Sequence, residues 1–348
     1  MNPLRAYRST GADLPFGDPR AAHGTATSGV AMEGYFYRVT DPATGRVVIA
    51  LIGVNRGPDG PWATLGLASA VADGPSTVAT RAVPGAWSDP DRLGARSGDA
   101  FVGHDRGVDV DLGPGARLHL EIDEAVEWPH RAFGGSSVFQ CVPALNQYWH
   151  PWLLGGRGRG WAEVGDERWE FDAAQVYGEK NWGGGGFPES WWWGQAQGFD
   201  DPGACLAFAG GQVHSGPLRT EVTALVVRLP DGRVVRLGNP VVSPVRAQVS
   251  DDEWLLSGRG YCWRIDVVGR APLARAHVLP VPLPDEGRNT AGDLEHLTGE
   301  VEVTVRRRGR LVWSGRSSQA ALEHGGLARA EAELRRRGVP PGATDHAP

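Results

Sequence analysis

The chain has 348 residues, 41% apolar and 22% charged. That is enough for one large domain or two of about 170 residues, and it excludes disorder throughout. Its 50 glycines and 26 prolines show no collagen-like period and favour short strands joined by tight turns, so an all-β protein is expected. A formal charge of −6, from 41 acidic against 35 basic side chains, argues against a nucleic acid as partner.

Residues 1–28 lack periodicity and are expected to form an irregular arm. Met1 to Arg20 is polar and has no apolar core of signal-peptide length, which points to a cytoplasmic protein. No run approaches the roughly 18 apolar residues of a spanning helix, so lipid contact is expected to be peripheral, at the inner face of a membrane. Tyr35 to Val39 and Val47 to Ile52, separated by Pro42 to Gly45, read as a β-hairpin. Similar strand-like runs follow at 108–112, 116–122, 168–171, 205–209, 221–228, 233–237, 254–256, 261–268, 301–306 and 311–313. This spacing predicts barrels or sandwiches, and the length suits two β-domains, 29–160 and 161–326, meeting in the glycine-rich stretch Gly155 to Gly165. Leu327 to Arg337 carries a helical pattern, and the helix and a mobile tail from Pro340 make up residues 327–348.

Several chemistries lack their signatures. Cys141, Cys205 and Cys262 are odd in number and form no C-x-x-C pair, so neither a disulfide framework nor a zinc site is expected. There is no H-E-x-x-H, no G-x-S-x-G, and no phosphate-binding pattern around Gly183 to Gly186. The reading is of a protein without metal or cofactor.

Of the 14 tryptophans, nine lie between Trp128 and Trp193, and Lys180 is the sole lysine of the sequence. An ammonium retained among arginines implies a compact donor in a tight site. If Trp191 to Trp193 form a strand, alternation places Trp191 and Trp193 on one face and Trp192 on the other.

The run Glu179-Lys180-Asn181-Trp182-Gly183, followed by Phe187-Pro188 and Trp191-Trp192-Trp193-Gly194-Gln195-Ala196, resembles the signature of the tocopherol cyclase family. Met32-Glu33-Gly34-Tyr35-Phe36-Tyr37 is similar to that family's E-G-W-Y-F segment, with Tyr35 where Trp is usual, and Leu322-Glu323-His324-Gly325-Gly326 to its closing L-E-x-G-G. The resemblance is dense over 143–211 and thin over 55–125. It implies two lipocalin-like β-barrel halves and the cofactor-free, proton-initiated cyclisation of a hydrophobic prenylated hydroquinone to a chromanol.

Such a reaction needs an acid, a wall that tolerates a cation and an apolar tunnel. Glu179 is the first candidate acid, because burial among apolar rings raises a carboxyl pKa; the alternative is an ion pair with Lys180. Glu33 is the second candidate, and His150 is placed to orient the phenol or shuttle a proton. Trp182, Trp191 and Trp193 are the expected cation-facing walls, with core filling as their ordinary role. Asn146, Gln147, Tyr148, Gln195 and Asn181 offer neutral hydrogen-bonding groups, and Trp149 and Tyr177 complete the expected substrate-binding set. Two other outcomes stay open: capture of the cation by water, as in a hydratase, and a barrel that carries an isoprenoid unchanged.

Overall fold

The computed structural model describes residues 30–89, 93–129, 134–137, 139, 145–184, 187–215 and 218–339. The arm expected over 1–28, the tail from Pro340 and Cys141 lie outside them. The described chain is all-β apart from single 3-10 turns and one short terminal α-helix.

Strands β1 (Met32–Asp41), β2 (Arg46–Gly57), β3 (Gly60–Val71), β4 (Ser76–Pro84), β5 (Trp87–Ser88), β6 (Gly94–Ser97), β7 (Phe101–His104), β8 (Gly107–Asp111), β9 (Ala116–Asp123), β10 (Tyr148–Leu153), β11 (Arg157–Val164) and β12 (Glu167–Gly183) form one antiparallel sheet. Strands β13 (Trp191–Ala196), β14 (Cys205–Ser215), β15 (Leu218–Arg228), β16 (Val234–Leu237), β17 (Val245–Val249), β18 (Glu253–Gly260), β19 (Trp263–Arg270), β20 (His277–Leu283), β21 (Arg288–Arg307) and β22 (Arg310–Gly325) form the other. Helix α1 (Leu327–Arg336) ends one residue short of its expected span and buries Ala330 and Leu334 against Ala291 of β21.

Each sheet curls around its own core. In the first half, Tyr37, Val39 and Leu65 share a cluster with Phe101, Val110 and Leu120 from the far strands. In the second, Phe208, Leu225, Trp254, Ile265 and Val303 do the same. The boundary differs from the expected division at 160/161: β11 and β12 belong to the first sheet, whose last strand ends at Gly183, and the second sheet begins at Trp191. Gly155 to Gly165 is glycine-rich because Gly158 and Gly160 sit where a side chain would strike Val176 or the His119 carbonyl, and it is not an interdomain linker.

The face between the halves explains a feature of the sequence. From Ala174 onward, β12 is buried on nearly every residue, as is all of β13. One face of these strands packs into its own core and the other against the opposite half, so the apolar-polar alternation of a solvated strand disappears. Arg38, fully buried, donates to Gln195 Oε1 at 2.8 Å and to the Gln319 and Leu297 carbonyls, and Thr64 donates to Asn289 at 2.6 Å, pinning one half to the other.

Candidate active site

Two antiparallel ladders set out the site. In the first half, Glu179 pairs with Phe36, and Asn181 with Gly34, all facing the second half. In the second, Trp193, Glu323 and Glu295 lie side by side across β13, β22 and β21. Between these rows runs a cleft of two lobes that share Glu179, Asn181, Phe187, Trp193 and Glu323. The first lobe continues along Tyr148, Trp149, Trp191 and Gly210, the second along Phe36, Leu51, Leu65 and Val281.

Glu179 is held by three donors that converge on one oxygen. Tyr177 Oη donates to its Oε2 at 2.6 Å, Trp149 Nε1 at 2.8 Å and Trp193 Nε1 at 2.9 Å. With Oε2 saturated, a proton on this carboxyl resides on Oε1. Burial raises the Glu179 pKa above the ordinary carboxylate range, against the opposing pull of the three donors. Phe36 meets the Trp193 ring edge-on at 5.1 Å, so the acid sits in an aromatic setting.

Sequence reasoning missed a second group of acids. Asp293, Glu295 and Glu323 bring carboxylate oxygens within 4.8 Å of one another, and all three line the second lobe. Burial, then the neighbouring carboxyls Glu323 and Glu295, push Asp293 well above its usual value. Burial and Glu323 do the same to Glu295, with Arg38 opposing. Burial takes Glu323 to about 7, against hydrogen bonds from Trp191 and Asp293. Three such carboxyls cannot all ionise together, so the group holds protons at neutral pH. A signal existed: Glu323 lies in the closing motif, and Asp293 and Glu295, two apart, share a face if their segment is a strand.

Residue by residue, the expected set divides between two faces. Lys180 points opposite to Glu179, into the first core, where its Nζ lies 3.0 Å from Glu33 Oε2. Arg56 holds Glu33 Oε1 at 2.9 Å, and Tyr35 and Ser88 donate to the same carboxyl. Burial alone would raise the Glu33 pKa, but Lys180 and Arg56 outweigh it and hold the group below the usual range. Glu33 is therefore a structural carboxylate, which corrects its expected place as a proton donor. Trp182 stacks on Tyr148 at 5.7 Å on this inner face, with Lys180 Nζ 5.2 Å from its ring centre, so Trp182 fills space there and is not a cleft wall. His150 is buried, in register with Lys180 and edge-on to Trp128 at 5.6 Å, away from Glu179.

On the cleft face, Trp149, Trp193, Asn181 and Trp191 line the space as expected. Trp192 points into the second core and donates to Thr223, the alternation read from the triplet. Tyr177 positions Glu179 without lining either lobe. Asn146 spends both ends of its amide on β14, donating to Gln212 O at 3.1 Å and accepting from His214 N at 3.0 Å. Gln195 is taken up by Arg38. These two are ties between the halves in place of the substrate contacts expected.

Fold and site together define a two-half, lipocalin-like protein with buried carboxyls in an aromatic cleft. The chain belongs to the tocopherol cyclase-like family, whose pattern matches residues 109–326. A rice (Oryza sativa subsp. japonica) protein described as a probable chloroplastic tocopherol cyclase is 30% identical over 203 residues, covering 53% of this chain and 41% of that protein. A maize (Zea mays) chloroplastic tocopherol cyclase is 44% identical over 75 residues, 20% of this chain and 15% of its own. The matches thus span well under half the length of these relatives. Among solved structures, CghA with Sch210972 superposes with a TM-score of 0.59 at 13% identity, covering 92% of this chain and 94% of that one. Kievitone hydratase from Nectria haematococca does so with 0.54 at 10%, covering 92% and 98%. At these identities the likeness is one of fold.

Proposed function

We propose that the protein closes the chromanol ring of a prenylated hydroquinone by proton transfer, without metal or cofactor. One observation carries this reading: Glu179, a buried carboxyl with Oε2 saturated by Tyr177, Trp149 and Trp193, leaves Oε1 to hold a proton in a cleft walled by aromatic rings. In this reading Oε1 delivers its proton to the less substituted alkene carbon. The π bond breaks, a C–H bond forms and a tertiary cation is left. The face of Trp193 stabilises that cation, a contribution of about 0.5–2 kcal/mol in a dry setting. The phenolic oxygen then closes the ring and loses its proton to a carboxylate. Glu323 suits that step, because it lines both lobes and titrates near 7, so it is partly ionised at neutral pH. One proton is consumed and one returned, the formula does not change, and no oxidant or reductant is needed.

The test is incubation with prenylated hydroquinones in deuterated water, followed by mass spectrometry. The expected product is an isomer of the substrate in which one hydrogen is replaced by a carbon-bound deuterium, and its rate of formation falls by about 10²-fold or more in Glu179→Gln. Gain of one water would replace cyclisation by hydration, and recovery of unaltered bound ligand would overturn catalysis in favour of carriage.

A further inference from the structure

One end of the second half carries a composition at odds with the rest of the chain. Segments 239–246, 257–264 and 305–312 contain seven arginines and no acidic residue, in a protein of net charge −6. They are the loop between β16 and β17, the β18–β19 turn and the β21–β22 turn, and the turns are joined by a bond from Arg308 N to Cys262 O at 2.8 Å. Asp266 engages Arg264 and, at 3.7 Å, Arg306. Among the described residues, none of Arg246, Arg259, Arg307, Arg308 and Arg310 has a carboxylate within ion-pairing distance.

The same end displays large apolar side chains. Val241 is 87% exposed, Tyr261 62% and Leu311 61%, and Val242 is exposed as well. Tyr261 and Cys262 occupy the two central positions of a tight turn with φ of 53° and 70°, a conformation for which Asn and Gly are favoured. The β16–β17 loop also leaves directly from Gly238, which lines the first lobe of the cleft.

We propose that these three segments are a docking edge for an anionic lipid bilayer, with Val241, Val242 and Tyr261 entering the interface and the unpaired arginines facing lipid headgroups. Isolated exposed apolar residues are unremarkable, but apolar tips ringed by arginines without acidic partners match a surface that is negative outside and apolar beneath. Docking there sets the rim of the first lobe against the lipid. The inference rests on charge and exposure and stands whether or not the chemistry proposed above is right.

The test is co-sedimentation of the intact protein, without substrate, with vesicles of phosphatidylcholine containing 30% phosphatidylglycerol, compared with pure phosphatidylcholine, at low and high salt. The expected result is binding to the anionic vesicles only, weakened by salt. Val241→Ser/Val242→Ser/Tyr261→Ser and, separately, Arg307→Ser/Arg308→Ser/Arg310→Ser should each cut it at least ten-fold with unchanged thermal melting. Equal binding to neutral vesicles, no binding, or unaltered binding by both variants would overturn it. So would assembly of the free protein into dimers that the first variant abolishes, since the tips would then be an interface between copies.

Discussion

Glu295 lies directly opposite Glu323 in the β21–β22 ladder, with Asp293 two residues away on the same face. Like charges facing each other across a strand pair destabilise it, and burial removes the water that would screen them. The arrangement is stable only while protons are shared, so the carboxyl group is a store of protons built into the wall of the cleft.

This has a consequence for stability. Glu323 titrates near 7 in the folded chain and near 4.5 when unfolded. Because the folded pKa is the higher, the unfolded state gives up its proton first, and stability falls as pH rises from about 4.5 to 7. Glu323→Gln, which keeps an acceptor for Trp191, should flatten that decline and raise stability at pH 8, by up to roughly 3 kcal/mol. Urea melts of both proteins across pH 4–8 check it; parallel curves would remove the proton-storage account.

Glu179→Gln should cost about 10²- to 10⁴-fold in kcat with little change in melting temperature, the range for loss of a general acid. Tyr177→Phe is more diagnostic. The Tyr177 hydrogen bond lowers the Glu179 pKa, so its loss should raise that pKa and move the alkaline limb of kcat/KM to higher pH. A smaller kcat with an unmoved limb would mean that Tyr177 acts only through packing.

Much of this architecture was legible in residue order, and the unread parts share a cause. The hairpin around Pro42 to Gly45 and the opposed faces of Trp191 and Trp192 follow from turn chemistry and the two-residue period of a strand. β3 passed unread because Gly60-Pro61-Trp62-Ala63-Thr64-Leu65-Gly66-Leu67-Ala68 mixes small and large residues and is buried along nearly its whole length. β12 carries its information on both faces at once, so adjacent Glu179 and Lys180 look like one site although alternation sends them into different compartments. Asp293 and Glu295 escaped for the opposite reason: charged residues in a strand ordinarily face solvent, and only the second half packed over them makes them interior.

That separation predicts different fates for neighbouring positions. Lys180→Met leaves Glu33 buried with Arg56 as its remaining cation and should cost about 3–5 kcal/mol of stability. The kcat of the folded fraction should be unchanged, since Lys180 faces away from the cleft. Glu33→Gln combined with Lys180→Met should recover most of the lost stability, because no uncompensated charge then remains in the core. A single variant that melts normally yet loses turnover would return Lys180 to the reaction.

The closing motif offers the most local test. Gly325 pairs with Trp191 across the β13–β22 ladder, and a Cβ built on it would lie 1.9 Å from Trp191 Cε2. Gly325→Ala must therefore push the indole aside and break its hydrogen bond to Glu323 Oε1. That bond lowers the Glu323 pKa, so the variant should titrate Glu323 above its present value of about 7 and lose activity at neutral pH, where too little carboxylate remains to accept a proton. Activity should partly return as pH is raised. Trp191→Phe, which removes the N–H but leaves Gly325 in place, should show the same shift. Carboxyl carbon NMR titration of the two variants decides the matter: an unmoved Glu323 in both would uncouple the glycine from the acid, and a shift in Gly325→Ala alone would trace the effect to displaced packing instead of the lost donor.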